Sequence, residues 1–408
     1  MYLKLTVVIW CAFLFMSIHV DTLAQSDYTT ITGKILNKKT KEPIPFASIY
    51  LKNTSNGTRS NSEGVFVFHI PKNLHNVNVV VSSIGYNAVE RLPSVFEKEN
   101  VIYLEESVLE LNEVVISAEE QLTAKQIIKR AYKLLEENYP TSEYILEGFI
   151  RDLQNEDSSY VEFLECAVKL KYQKYNVKFE PQVELQEVRR SFIANKNPWN
   201  DEWDRKNLIF DIIEDDFIRF NYGPIKVKKG WDYEVESVLP FGNSYVYKIN
   251  AGNKGNSKAV LFIDIDTFAF VRIEYSRSMR NGKYYSRRLS NGQQEKSYNL
   301  VVEYQEYKGK WYLKYQKEED SWSIFKGLES DELLFTKYPK KELFINKIIA
   351  ENVNQYLFNK NLVISKSVES QAKPYNPEFW EHYNAPAQTY ELSKIEEFLK
   401  QATNSAKE

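Results

Sequence analysis

The sequence predicts a mainly β protein with some α-helix. An N-terminal antiparallel β-sandwich is followed by a larger β-rich α+β domain, a curved antiparallel sheet with flanking helices. Three observations support this prediction. Short apolar segments separated by Gly, Asn and Pro recur over residues 28–104. Tyr (28) and Phe (23) are abundant whereas Gly (14) is scarce, which suits packing on a pleated surface. Helical periodicity is confined to a segment after residue 122 and to the C-terminal end.

The N-terminal segment, residues 1–24, has the pattern of a secretory signal peptide. Residues 5–16 form a nearly unbroken apolar run, and the small residues Thr22 and Ala24 occupy the −3 and −1 positions of a cleavage site. The alternative is a retained membrane anchor, for which this run is short. We therefore expect an exported protein, located in the periplasm or associated with the outer membrane.

The composition of the remaining chain excludes several classes of protein. Its one cysteine, Cys166, lies in an apolar segment without a histidine nearby, so we expect a buried structural thiol and no disulfide. The formal net charge of −3 argues against a nucleic-acid partner. Beyond the signal peptide no apolar run is long enough to span a bilayer, so we expect no transmembrane segment in the mature chain.

Residues 27–105 are predicted to form the sandwich. Four segments carry a resemblance to a known family: ITGKI (31–35), PIPFASIY (43–50), GTRSNSEGVF (57–66) and VSSIGY (81–86). They resemble the carboxypeptidase regulatory-like domain, an immunoglobulin- or transthyretin-like sandwich that precedes many envelope proteins of Gram-negative bacteria. The family often has Asp where this chain has Asn61, which closes the same turn. The resemblance implies an accessory module and not the protease.

Residues 106–122 are predicted to be a linker. Within the stretch LEESVLELNEVVIS (104–117), the sequence is similar to the segment that joins such a sandwich to the plug of TonB-linked outer-membrane receptors. No plug or barrel sequence follows it, so receptor function is not implied. We interpret this stretch as a last strand followed by a linker.

Residues 123–408 are predicted to form the β-rich α+β domain with C-terminal helices. A helix over residues 124–138 begins with a capping-box pattern at Thr123, and residues 258–275 read as a hairpin. With the tail NPEFWEHYN (376–384), these segments resemble a family of poorly characterised bacterial envelope proteins. The hairpins are also similar to lipoprotein-carrier half-barrels, in which a curved sheet holds a lipid against a helix.

Metal, cofactor and nucleophile motifs are missing from the sequence. The histidines His69, His75 and His382 have no carboxylate at ligand spacing, so we expect no metal site and no cofactor. Asp264 and Asp266 lie two residues apart at a strand end and could face the same side, as Ca²⁺ binding or acid–base chemistry would need. The alternative is that they cap the hairpin turn.

Two further groups of residues are candidates for contacts. Trp199, Trp203 and Trp231 lie among polar residues and could contact a sugar ring or a partner surface, or else pack over the sheet. The acidic clusters 214–216 and 318–320 are predicted to be solvated loops. The predicted contact residues are therefore these three tryptophans together with Asp264 and Asp266.

We predict from this a non-catalytic exported protein that binds or assembles components of the bacterial envelope, with an envelope protein, glycan or lipid as its partner. One alternative is a lipid or lipoprotein carrier with an apolar groove beneath the Thr123 helix. A second is a hydrolase of an envelope polymer that acts through Asp264, Asp266 or the cluster at Glu214, which requires two carboxylates facing each other in a cleft.

Overall fold

A computed structural model of the chain describes residues 27–96, 100–107, 122–176, 181–192, 208–279, 288–358, 361–363, 366 and 368–405. The predicted signal peptide (1–24), most of the predicted linker, Trp199 and Trp203 lie outside the described residues. None of the helices in the described part of the chain combines the length and apolar character that crossing a bilayer requires.

The N-terminal domain is a sandwich of two small sheets, as predicted. Its elements are β1 (Tyr28–Asn37), β2 (Ser48–Leu51), β3 (Gly57–Arg59), β4 (Val65–Pro71), β5 (Val79–Ser82), β6 (Val89–Arg91), α1 (Pro93–Phe96) and β7 (Val101–Leu104). One sheet has the order β4-β1-β7 and the other β3-β2-β5-β6. Alternate residues of β1 and β4 are buried, so Ile31, Ile35, Phe66 and Phe68 enter the core between the sheets.

Of the motif over residues 43–50, only the end forms a strand. Strand β2 begins only at Ser48, because Phe46 adopts a left-handed backbone conformation with φ 58° that a strand does not accommodate. Pro43 instead forms an isolated bridge with Leu36. The deviation turns the chain at Phe46 out of the sheet, and the Phe46 ring stacks on Tyr315 of the second domain.

The second domain is built on one eleven-stranded antiparallel sheet. Its strands are β8 (Tyr144–Glu156), β9 (Ser159–Tyr172), β10 (Gln182–Phe192), β11 (Trp231–Phe241), β12 (Ser244–Asn253), β13 (Ser257–Asp264), β14 (Phe270–Ser278), β15 (Gln293–Tyr307), β16 (Lys310–Phe325), β17 (Leu333–Lys337) and β18 (Lys340–Ile349). Strands β11 to β16 follow one another as neighbours, and β17 and β18 both join β16 to β8, followed by β9 and β10. The predicted hairpin over residues 258–275 is confirmed as β13 and β14.

One face of this sheet packs against helices and forms the main core. The helices are α2 (Ala124–Lys133), α3 (Leu135–Asn138) and α4 (Leu208–Glu214). The predicted capping box is confirmed, with Thr123 and Gln126 each bonding to the other's backbone N–H. On α2, Ile127, Ile128 and Ala131 are fully buried in the core. The space beneath this helix is therefore filled with the protein's own side chains.

The other face of the sheet carries the sandwich and the C-terminal helices α5 (Pro377–Glu381) and α6 (Tyr390–Ser405). Successive residues alternate between the faces, so Ile150 of β8 enters the main core, whereas Arg151 points to the other side. Asn376 caps α5. Helix α6 begins at Tyr390, and the hydroxyl of the preceding Thr389 accepts a hydrogen bond from the backbone N–H of Leu392.

Candidate binding site between the two domains

Arg59 of the sandwich is inserted against the second domain. It lies on β3 and is only 1% exposed. Its Nη1 lies 3.2 Å from Oε2 of Glu303 on β15, and its Nη2 donates to the Phe46 carbonyl at 2.9 Å. Its guanidinium carbon lies 3.5 Å from the centre of the Tyr315 ring on β16. A buried cation needs such partners, because an unpaired charge inside a protein is strongly unfavourable.

The Arg59–Glu303 pair belongs to a row of buried charges that crosses the sheet. Glu303 also pairs with Arg272 on β14, directly across the ladder. Burial by itself would raise the pKa of Glu303, but the cations of Arg59 and Arg272 outweigh this effect and hold its pKa below the ordinary value. Lys314 of β16 acts in the same direction, so the sandwich contributes one of the three cations that keep this carboxylate ionised.

On the other side of Tyr315 the row continues across β18, β8, β9 and β10. The Tyr315 hydroxyl donates to Glu342 at 2.7 Å, and Glu342 lies opposite Arg151 in the ladder. Arg151 in turn lies 2.7 Å from Glu165, whose second oxygen pairs with Arg189. Each of these charges is therefore paired with an opposite charge on the next strand.

Backbone and polar contacts dock the sandwich at further points. Ser55 donates to the Ile348 carbonyl at 2.9 Å, and the backbone N–H of Gly85 donates to the Pro240 carbonyl at 2.9 Å. Asn384 makes two hydrogen bonds with the backbone of His69 on β4, at 2.8 and 3.0 Å. These contacts satisfy buried polar groups on both domains, so the two domains share one extended interface.

Among the described residues the interface contains cavities, and residues of both domains line each of the three described below. The first has a volume of about 370 Å³ and includes Phe46, Tyr86, Phe241, Arg272 and Lys314 in its wall. The second, of about 630 Å³, shares Phe241 and Lys314 with the first. The third, of about 160 Å³, lies on the other side of Phe46 and Arg59. Cavities at domain interfaces, with apolar walls and a few polar groups, are the usual sites for small ligands.

Lys314 of β16 lies between the two larger cavities and is 8% exposed. No ion pair or hydrogen bond reaches its ammonium group from the residues that the structure describes, and the Tyr50 ring centre lies 5.4 Å away. Burial lowers the pKa of Lys314 to about 8, with the Arg59 cation adding to this effect and Glu303 opposing it. No pattern in the sequence indicates this group, because its isolation follows from the docking of the sandwich.

The candidate carboxylates of the hairpin turn lie at the edge of the second cavity. Asp264 lines it, and its Oδ1 accepts hydrogen bonds from the backbone N–H groups of Asp266 and Thr267 at 3.1 and 2.8 Å. The Ser244 hydroxyl lies 2.9 Å from Oδ2 of Asp264 and 3.2 Å from Oδ2 of Asp266. Asp264 thus caps the hairpin turn, which was one of the two alternatives predicted from the sequence. That Asp264 or Asp266 contacts a ligand stays a prediction.

Trp231 is placed far from these carboxylates. It begins β11, opposite Asn253, whereas Asp264 lies at the other end of the same group of strands, opposite Val246. Its side chain belongs to the main core, with the Lys228 ammonium 5.2 Å from the ring centre. The structure therefore does not bring Trp231 and the two aspartates together in one site.

The acidic clusters differ from the prediction of solvated loops. Residues 318–320 lie within β16, and Asp215 follows α4 directly and hydrogen bonds to Glu318. Burial, with the Glu318 charge adding to it, raises the pKa of Asp320 to about 8, and burial also raises that of Asp215. Burial would raise the pKa of Glu318 too, but Lys341, 3.3 Å away, holds it below the ordinary value. The apolar residues on both sides of 318–320 were the available signal for a strand.

The histidines occupy ordinary structural positions. His69 lies in β4, where its ring nitrogen Nδ1 is 2.8 Å from the Thr30 hydroxyl, and its ring centre is 6.1 Å from that of His382. In the part of the chain that the structure describes, no group of three or more His, Cys, Asp or Glu side chains is arranged to hold a metal ion. Cys166 is buried and not in a disulfide, as predicted.

The sheet order of the N-terminal domain is that of an immunoglobulin-like β-sandwich. Residues 31–116 match the family of the CarboxypepD_reg-like domain. This part of the chain is therefore a carboxypeptidase regulatory-like domain, as its four motifs predicted. No curated protein matches the chain significantly.

Solved structures show only remote likeness to the chain. A DUF1329 family protein from Desulfovibrio piger shares 10% sequence identity over 57% of this chain and 95% of its own, with a TM-score of 0.26. A LolA superfamily protein from Nitrosomonas europaea shares 9% identity over 59% of this chain and 99% of its own, with a TM-score of 0.22. Scores this low indicate neither a shared architecture nor a shared function.

Proposed function

We propose that this chain is an exported, non-catalytic binding protein of the bacterial envelope whose two domains together enclose a ligand. The observation that carries the proposal is the pair of neighbouring cavities between the domains, lined by both of them and by the buried Lys314. The accessory character of the regulatory-like domain and the predicted signal peptide are consistent with it. On this proposal the sandwich acts as one wall of the site.

Blocking the first cavity tests this proposal. Ser83 lines it, is half-buried, and its hydroxyl bonds to no other described residue, so Ser83→Trp places an indole in the cavity while the backbone contacts remain. Lys39→Trp, at an exposed turn of the sandwich, is the matched control. Native mass spectrometry of each protein after incubation with a small-molecule extract of bacterial envelopes should show a bound species on the wild type and the control only. If Ser83→Trp retains the bound species as well as the wild type does, the proposal is wrong.

The lipid-carrier alternative required an apolar groove beneath the Thr123 helix. Ile127, Ile128 and Ala131 of that helix instead pack directly on the sheet. In addition, the Tyr139 hydroxyl donates to the Phe270 carbonyl at 2.8 Å, which fixes the end of the helical segment to β14. The observed cavities lie on the opposite face of the sheet and contain charged groups, so a carrier of this design is not what the geometry favours.

A second candidate function, hydrolysis of an envelope polymer, is favoured by one observation. Glu318 is hydrogen-bonded to both Asp215 and Asp320 in a largely buried cluster whose carboxyl pKa values are pushed apart, an arrangement found in acid–base catalysis. If this function holds, Glu318→Gln abolishes release of soluble fragments from purified peptidoglycan or envelope polysaccharide, and Asp264→Asn does not. Absence of release by the wild-type protein from all these substrates would remove this candidate.

A further inference from the structure

The ammonium group of Lys314 forms no ion pair or hydrogen bond with the described residues of the interface, although the Glu303 charge acts on it. Both oxygens of Glu303 are engaged, one by Arg59 and the other by Arg272. Taking an ammonium group out of water without a paired anion is unfavourable, so such groups in folded proteins are usually paired, or their pKa falls. The interface therefore lacks one negative charge at this position.

Lys314 is positioned to contact a ligand bound in either of the two larger cavities. It lines both larger cavities together with Ser82 and Phe241, and the hydroxyl groups of Ser48 and Ser83 lie in the wall of the smaller one. Three cations but only two carboxylates line this cavity of about 370 Å³: Lys248, Arg272, Lys314, Glu274 and Glu303. An anion bound here would meet an ammonium group and hydroxyl donors.

The rest of this wall is apolar. Ile84 from the sandwich and Leu239, Phe241, Phe262 and Val271 from the sheet line it. A free inorganic anion would leave these side chains facing an empty or wet space. A ligand that joins an anionic group to a hydrocarbon body would bury them and also pair with Lys314.

We propose that the cavity between the domains binds an amphipathic anion, whose carboxylate or phosphate group is held by Lys314 and whose hydrocarbon part packs on Phe241 and Phe262. This inference rests on the proposed function and adds the chemical class of the ligand. The carboxylate of a fatty acid and the phosphate of a lipid headgroup share the recognised chemistry, so the two sources are separated by the probes below.

Isothermal titration calorimetry with four eight-carbon probes tests the proposal: octanoate, octyl phosphate, octanol and octylammonium. The wild type should bind at least one anionic probe, and octanol and octylammonium at least tenfold more weakly. Lys314→Met should weaken the anion at least tenfold, about 1.4 kcal/mol, whereas Lys314→Arg should retain most of the affinity. Lys248→Met is the matched control, because Lys248 lines the same cavity but is paired with Glu236 at 2.7 Å. Tighter binding of octanoate indicates a fatty acid as the ligand, and tighter binding of octyl phosphate indicates a lipid headgroup.

The remaining outcomes separate this inference from the proposed function. If octanol binds as tightly as the anions and Ser83→Trp abolishes its binding, the cavity binds ligands but the assignment of an anion to Lys314 is wrong. If Lys314→Met binds the anions like the wild type, the assignment is also wrong. If no probe binds to the wild type and Ser83→Trp retains every envelope molecule, both the inference and the proposed function fail. Unchanged circular dichroism spectra of the variants exclude misfolding as the cause.

Discussion

Replacing Lys314 by Met should make the ligand-free protein more stable at neutral pH. The buried ammonium group has no anionic partner among the described residues, and burial lowers its pKa from 10.5 to about 8. A shift of this size corresponds to about 3 kcal/mol at 1.36 kcal/mol per pKa unit, which is an upper value because the protein relaxes around the charge. We therefore expect Lys314→Met to raise the free energy of unfolding by roughly 1–3 kcal/mol at pH 7.

The sign of the pH dependence follows from the direction of the shift. Between pH 8 and 10.5 the unfolded chain keeps a proton on Lys314 that the folded protein has lost, so the wild type gains stability as the pH rises through this range. The advantage of the Met variant should therefore be largest below pH 8 and should vanish near pH 10.5. Only the difference between wild type and variant matters, because other titrating groups affect both proteins equally.

Urea unfolding followed by tryptophan fluorescence at pH 7, 8, 9 and 10 measures this difference on refolded, ligand-free protein. Lys248→Met, which removes a half-buried lysine that is paired with Glu236, should change the free energy of unfolding by less than about 0.5 kcal/mol. A Lys314→Met variant that is less stable than the wild type at pH 7, or whose advantage does not decrease with pH, would refute the description of Lys314 as an unpaired buried charge.

Three further predictions follow from other buried groups. Burial raises the pKa of Asp152 to about 7, so the wild type loses stability as the pH rises from 3.8 to 7. In urea unfolding, Asp152→Asn should therefore be more stable than the wild type by roughly 2–4 kcal/mol at pH 8, and the two proteins should be equally stable near pH 3.8. Arg59→Met removes a cation from Glu303 and should destabilise the interface by roughly 3–5 kcal/mol, so that calorimetry shows two thermal transitions where the wild type shows one. Burial and the nearby His382 lower the pKa of His69, so stability should fall as the pH drops below 6.5, and His382→Gln should lessen this fall in a series of thermal midpoints.

Features that depend on neighbouring residues could be predicted from the sequence. The capping box at Thr123 needs only Gln126, three residues on. The hairpin of β13 and β14 needs only the turn that Asp264 caps. The regulatory-like domain was recognisable because its turns and short strands carry local motifs. In one of them, Oδ1 of Asn61 accepts hydrogen bonds from the backbone N–H groups of Glu63 and Val65.

Predictions failed where distant segments decide the environment of a residue. The acidic residues 318–320 read as a solvated loop, yet they lie within β16, where Glu318 and Asp320 are largely buried and Glu318 contacts Asp215. The exact limits of the predicted domains, at residues 24, 105 and 122, stay predictions.

The sequence by itself determined the mainly β fold class, the identity of the sandwich and the local caps and turns, because hydrogen bonds between residues a few positions apart encode them. Only the tertiary structure decided which charges are paired. Arg59 and Glu303 are 244 positions apart, and their contact exists because the sandwich docks on one face of the sheet. That docking engages one oxygen of Glu303, whose other oxygen pairs with Arg272 within the sheet, and it buries Lys314 without an ion pair. Pairing of charges depends on distance in space and not along the chain.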